Sequence, residues 1–369
     1  MYRIIGTALI ITLAFSSGVV AEQDQPTLLR TISIGQYKSA VTSADGSALV
    51  VKKDGVILRD PAGGTRFVTR LRGNQRVVQC ESGRVFGVST FADNAPSTLH
   101  VIRFDVYDRD GTRRFRIDKP AATEFRISGD GRWTVGIAGG DGMMEAQLYL
   151  YDGAGEDRAT WTVPHLSHLT LPLSGTRFFA ASRGELLAYP YDGGEPQQLG
   201  RFEAFATSDN GHHVTLCGAG SVFLMNESGL VFSAKSSVTA VRSVAVSPDG
   251  RYVAVAGGDR LEMFGSEDRD LIWTVTSGQP DLRFISVALS MDPWRVLCGL
   301  DRDPGTDARP EERHNGGAVF LFGKDGVLQW REELSYQRWS FKVPAVFFKS
   351  ADAQIEVRLA DEHRQYRLP

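Results

Sequence analysis

Three observations predict an all-β fold made of a repeated four-stranded unit, a β-propeller. Residues 242–276 carry four short apolar runs, Ser243–Val246, Tyr252–Ala256, Leu261–Phe264 and Leu271–Val275, each of strand length. The runs are separated by turn chemistry: Ser-Pro-Asp-Gly at 247–250, Gly257-Gly258, and a polar loop. The same pattern then recurs along the chain, with first turns near residues 45, 82, 130, 174, 209, 249, 292 and 352, spaced 35 to 60 residues apart. Four antiparallel strands in about 40 residues is the size of one propeller blade. A blade cannot bury both of its faces alone, so recurrence is what the physics requires.

Taken in order, the chain opens on a secretory signal. Arg3 precedes the apolar run Ile4–Phe15, and Val19-Val20-Ala21 sets small residues for cleavage after Ala21. The run is short for a membrane span. The reading is export to the periplasm or beyond with residues 1–21 removed, the alternative being an uncleaved anchor. Residues 22–28 are a polar leader, and 29–369 form the propeller domain. Leu29–Ile34 is a strand with no neighbour in sequence. Ala40–Ser43, Ala48–Val51, Val56–Leu58 and Arg66–Arg70 complete a first unit. Later units open at Arg76–Gln79, Glu124–Ile127, Leu169–Leu173, Phe205–Thr207, Ser243–Val246, Ile285–Leu289 and Val343–Phe348. The last unit shows only three strands, so the orphan Leu29–Ile34 is expected to supply its outer strand and leave no open edge. Eight blades result; seven is the alternative, because the second unit's turn at Ser82-Gly83 is the weakest.

Composition bounds the partners. With 369 residues, 42% hydrophobic content and a net charge of -3, the chain can build a core and offers no global field for nucleic acid or an anionic membrane. The 39 glycines suit a protein rich in tight turns. Three cysteines, Cys80, Cys217 and Cys298, would permit a disulfide and a free thiol. Cys217 and Cys298 occupy the same place in units two repeats apart, too distant to bridge, so all three read as buried small hydrophobes.

Between the third and fourth strands, Asp-Gly or a similar turn is followed by a large aromatic: Asp110-Gly111 then Phe115, Asp152-Gly153 then Trp161, Ser228-Gly229 then Phe232, Glu267-Asp268 then Trp273, Asp325-Gly326 then Trp330. Such side chains would fill the wide rim between neighbouring blades. Ser247-Pro-Asp-Gly-Arg251 followed by Tyr-Val-Ala-Val resembles the turn of WD40-like propeller repeats. Asp325-Gly326-Val-Leu-Gln-Trp330 resembles the repeat of quinoprotein-like propellers, which often have eight blades. The likeness covers residues 29–369 and implies the fold. The WD dipeptide with its His, an adjacent Cys pair and a clear pyrroloquinoline quinone or Ca²⁺ ligand set are all missing from the sequence, so quinone chemistry is not implied.

Candidate site residues lie in three long connections between second and third strands, which share a face with the links between blades. Thr90–His100 holds Asp93 and Asn94. Gly139–Gln147 holds Asp141, Met143, Met144 and Glu145. Leu300–Gly317 holds Asp301, Asp303, Asp307, Arg309, Glu312, Arg313 and His314. Long insertions on one side of a regular repeat mark a binding face. Alternate carboxylates at Asp301, Asp303 and Asp307 resemble part of a Ca²⁺ loop, but the glycine falls out of place and a solvated charged loop is the simpler reading. No other cofactor is expected. His212-His213, adjacent in an extended segment, point to opposite faces and cannot easily share a metal; His165 and His168 lack a neighbouring acid or Cys. The arginines at 66, 70, 72, 76, 103, 109, 113, 114 and 116 are interleaved with Asp105, Asp108 and Asp110 and read as a solvated rim. No phosphate loop, nucleophile elbow or zinc-protease motif occurs. The sequence therefore favours an exported, non-catalytic platform for a protein or envelope component. The rival is a propeller enzyme, a quinoprotein-like oxidoreductase or a hydrolase or lyase using residues gathered from several blades.

Overall fold

Second-strand residues of most units are largely apolar, and in the computed structural model they become the buried middle of four-stranded antiparallel sheets; the last unit, Gln354–Arg358, alternates instead and buries Glu356. The structure describes residues 9–11, 26–33, 39–42, 47–52, 54–60, 64–72, 74–80, 82–92, 101–118, 120–139, 144–290, 294–302, 315–337, 344–349, 354–359 and 362–369. The fold is an eight-bladed β-propeller. Its blades span residues 39–70, 75–118, 124–164, 166–201, 204–235, 241–276, 282–337 and 345–367. Each runs strand to neighbouring strand in sequence order, except the last. There the N-terminal strand Thr27–Ser33 pairs antiparallel with Glu362–Arg367 and becomes the fourth strand of blade 8. The sixth sheet gains a fifth strand, Leu9–Ile11, parallel to Trp273–Val275.

The chain divides into two compact units. One holds blades 1–4 (Ile34–Arg201 with Asp209–Gly211); the other holds Met1–Ser33, Phe202–Ser208 and His212–Pro369, hence blades 5–8. Within each unit the core lies between blades, not inside them. Leu49 and Val56 of blade 1 pack with Phe86 and Val88 of blade 2. Met263 and Trp273 of blade 6 pack with Phe284, Phe320 and Phe322 of blade 7. Trp330 of blade 7 meets Tyr366 of blade 8, ring centroids 5.2 Å apart. This is the burial a lone blade cannot achieve.

First turns share one hydrogen-bonded design. In blade 6 the Ser247 hydroxyl accepts from Tyr252 N at 3.0 Å and donates to Asp249 Oδ1 at 2.6 Å. In blade 3 Ser128 does the same with Trp133 N and Asp130. Ser208 and Ser290 accept from His213 N and Arg295 N in blades 5 and 7. In blade 2 the position is Cys80, whose Sγ accepts from Val85 N at 3.1 Å. Sulfur here stands in for the hydroxyl oxygen, and the unit whose turn is weakest in sequence is a complete four-stranded blade, which makes the count eight. All three cysteines are buried and free.

The rim aromatics do more than fill space. Trp273, 2% exposed, donates its indole N–H to Lys324 O at 2.9 Å and lies flat against Gly326 of the next blade. Gly326 has φ +77°, and a Cβ there would sit 3.0 Å from the indole ring, so both the backbone and the contact require glycine. Trp161 donates to Gly194 O of blade 4 at 3.3 Å, and Phe115 packs on Gly155 of blade 3. The fourth strand of one blade thus clasps the last turn of its successor.

Several expected boundaries move by one to three residues. Blade 4 opens with Leu166–Thr170, earlier than Leu169–Leu173, because Pro172 lacks the N–H that would extend the ladder. Blade 8 runs Ala345–Lys349, Gln354–Arg358 and Glu362–Arg367.

Candidate binding cleft between blades 6 and 7

The side of blades 6 and 7 that carries the second-to-third-strand turns and the links between blades contains an open cleft of about 580 Å³. Three separate segments line it: Thr239 from the link into blade 6, Gly258 and Asp259 from the tight turn of blade 6, and the link Ser277–Pro280 flanked by Thr276, which ends blade 6, and Arg283 in the first strand of blade 7. Gly258 adopts φ +54°, which allows the two-residue turn that keeps this part of the face low.

Backbone hydrogen bonds fix the walls. Ser277 N donates to Asp259 O at 2.8 Å, and Phe284 N donates to Gly258 O at 2.8 Å. The buried Ser277 hydroxyl donates to Gln279 O at 2.9 Å. Behind Thr239, the Glu262 carboxylate, 2% exposed, accepts from Ser236 Oγ at 2.7 Å, from Ser237 N at 3.1 Å and from Ser237 Oγ. A buried carboxylate is tolerated because donors surround it. Near the start of blade 7, Arg302 bridges Asp281 at 3.2 Å and approaches Glu333 at 3.9 Å. The cleft thus presents one carboxylate, Asp259, and one guanidinium, Arg283, among hydroxyls, an amide and exposed backbone. Such a surface can bind polar and charged groups of a partner. It brings no nucleophile together with a base.

The sequence-derived residues are placed as follows. Met144 is 76% exposed beside the link into blade 4, where its carbonyl accepts from His165 N. Glu145 is exposed and opens the strand Glu145–Tyr151, opposite Pro164, so it belongs to a strand rather than a loop. Asp301 likewise lies inside the strand Arg295–Arg302, buried, opposite Arg283 and Gly317, because the second strand of blade 7 is long and carries its ladder past Leu300. It therefore stands next to the cleft's Arg283 and not in a calcium-type loop. Asp93, Asn94, Asp141, Met143, Asp303, Asp307, Arg309, Glu312, Arg313 and His314 lie outside the described residues. Among the described residues no three His, Cys, Asp or Glu gather to hold a metal ion. His212 faces Glu227 at 3.2 Å while His213 packs against Gly250, opposite directions as adjacency predicts. Burial, helped by Glu203 and Glu262, pushes the Cys217 thiol up to about 12, and burial raises Cys298 well above its ordinary range, so neither is a nucleophile. Asp259, Arg283, Thr239 and Gln279 were not singled out from sequence. The visible signals were the Gly257-Gly258 turn, read only as punctuation, and the Ser-Gly-Gln-Pro link at 277–280.

Comparisons agree on fold and stop there. No family model matches the chain, and no curated protein matches it. Among solved structures it is similar to KlHsv2 with loop 6CD replaced by a Gly-Ser linker, at 13% identity and TM-score 0.51 over 77% of this chain and 87% of that one. It is similar to Hsv2 of Kluyvelomyces marxianus at 10% identity and TM-score 0.51, over 76% and 87%. The Cps50 (Swd1) propeller domain of Myceliophteria thermophila aligns at 12% identity and TM-score 0.48, over 94% and 100%. Identities this low speak to the propeller fold alone.

Proposed function

We propose that this chain is an exported, non-catalytic propeller that binds a protein or envelope component through the face formed by its second-to-third-strand turns and inter-blade links. The observation that carries the reading is the cleft between blades 6 and 7, whose lining residue Arg283 pairs across the ladder with Asp301, near the end of the strand that leads into the connection 303–314. The other two long connections, 92–100 and 139–144, leave the corresponding edges of blades 2 and 3. A repeated scaffold elaborated on one side is the usual construction of a binding platform. Export rests on the Arg3 and Ile4–Phe15 pattern ending at Ala21, and among the described residues no helix is long and apolar enough to cross a membrane. The Ser-Asp turn built in blades 3 and 6 supports reading the repeat as WD40-like rather than quinoprotein-like. The test is affinity purification of the mature chain from its native envelope beside a variant lacking residues 303–314. A partner recovered with the first and lost with the second supports the platform. Equal recovery moves the site elsewhere, and the folded variant's spectrum guards against simple unfolding.

A further inference from the structure

Blade 2 holds a second polar cluster, remote in sequence from the cleft. Its third strand is Val101–Asp108 and its fourth Arg113–Asp118, with Arg116 opposite Asp105, Asp118 opposite Arg103, and a bulge between Arg113 and Phe115. Alternation puts Arg103, Asp105 and Tyr107 on one face of the sheet. Asp105 was expected to be one of several acids on a solvated rim, yet it is 1% exposed. Arg103 Nε lies 2.8 Å from its Oδ2, Arg116 Nε donates to its Oδ1 at 2.8 Å, and Arg113 Nη1 stands 3.9 Å from Oδ1. The three arginine side chains remain 37%, 35% and 50% exposed respectively.

One buried carboxylate therefore collects three guanidiniums. Arg116 turns its Nε edge on it in a hydrogen bond, Arg103 Nε is buried beside it as an ion pair without a hydrogen-bond partner, and among the described residues neither guanidinium has another ion pair. Guanidinium nitrogens form a rigid fork, so an Nε anchored inward leaves the terminal nitrogens for a second acceptor. The charge does not close. Asp118, the other acid facing this group, acts on Arg116, and Asp108 is engaged by Arg114 at 2.6 Å. Three guanidiniums against Asp105 and Asp118 leave one positive charge in excess. The phenol of Tyr107, next to the cluster, adds an uncharged donor.

We propose that this cluster is an oxyanion site that takes a phosphate or sulfate group on Arg103, Arg113 and Arg116, with Asp105 as the positioning residue that aims them. Three partly exposed guanidiniums gathered on one carboxylate, with one positive charge in excess, suit an oxyanion, and paired guanidinium forks recognise such groups strongly. The test is isothermal titration of the mature chain with inorganic phosphate and with inorganic sulfate, using chloride and acetate at matched ionic strength as controls. Saturable binding of phosphate or sulfate, at least tenfold weaker in Arg103→Gln and Arg116→Gln and unchanged in Arg126→Gln on blade 3, supports the site. The stronger of the two anions identifies the ester it serves. If Arg116→Gln does not fold, Arg113→Gln, whose only approach to Asp105 is the 3.9 Å one, should fold and bind at least threefold more weakly. Binding no stronger than that of chloride, or unaltered in the arginine variants, overturns the proposal.

Discussion

Replacing Trp273 with Phe probes the clasp between blades 6 and 7. The substitution removes the indole N–H that meets Lys324 O at 2.9 Å, worth about 1 kcal/mol net. It also removes roughly 40 Å² of buried ring, about 1 kcal/mol at 25 cal/mol/Å², and leaves a gap against Gly326. The expected loss is about 2–3 kcal/mol in sum. Trp161→Phe is the internal control. Its N–H reaches Gly194 O at 3.3 Å and its ring is only partly buried, so a loss of about 1 kcal/mol or less follows. Equilibrium urea unfolding followed by far-UV circular dichroism reads both. Gly326→Ala adds a second axis. Its Cβ would stand 3.0 Å from the indole, so it should cost less when the indole is already gone, with a coupling of about 0.5–1 kcal/mol. Equal losses at Trp273 and Trp161, or strict additivity with Gly326→Ala, would refute the clasp and return these residues to simple rim filling.

Other outcomes follow from single contacts. Cys80→Ser should leave stability unchanged or raise it slightly, since a hydroxyl fills this position in blades 3, 5, 6 and 7, whereas Cys80→Ala removes the acceptor for Val85 N and should lower the unfolding midpoint. Cys217 ionises in the unfolded chain near its ordinary 9.0 but in the fold only at about 12. Its contribution is therefore complete below pH 9 and is lost as pH rises from 9 to 12, and native protein at pH 8 should resist thiol labelling at Cys217 and Cys298 until denaturant is added. Glu262→Ala strands three donors from Ser236 and Ser237 and should cost about 2–4 kcal/mol in urea unfolding, with Glu262→Gln intermediate.

Much of the architecture was legible in sequence because blade physics is local. Ser247-Pro-Asp-Gly, the Gly257-Gly258 turn and four apolar runs mark a blade without reference to any other. The missing fourth strand of blade 8 pointed to the N-terminal strand, since an unpaired edge is costly, and Thr27–Ser33 fills it. Contacts between blades were not legible. Nothing in Gly326 announces that an indole fifty-three residues earlier lies on it, and nothing in Asp105 shows that it is buried among arginines. The cleft was hidden for the same reason: Thr239 and Asp259 belong to two different connections and Arg283 to the first strand of blade 7, and only the packing of blade 6 on blade 7 brings them together. Asp301 was misplaced in a loop because strand ends beyond the core carry no apolar signal.

The most direct test of the proposed binding face is site-specific photocrosslinking in the cells that make the protein, with a crosslinking residue placed singly at Asp259 and Gln279 in the cleft and at Asp192 and Ser228 on the third-to-fourth-strand turns. The account predicts a defined partner adduct from Asp259 and Gln279 and none from Asp192 and Ser228. Adducts confined to Asp192 or Ser228 would contradict it and move the working face to the other side of the blades.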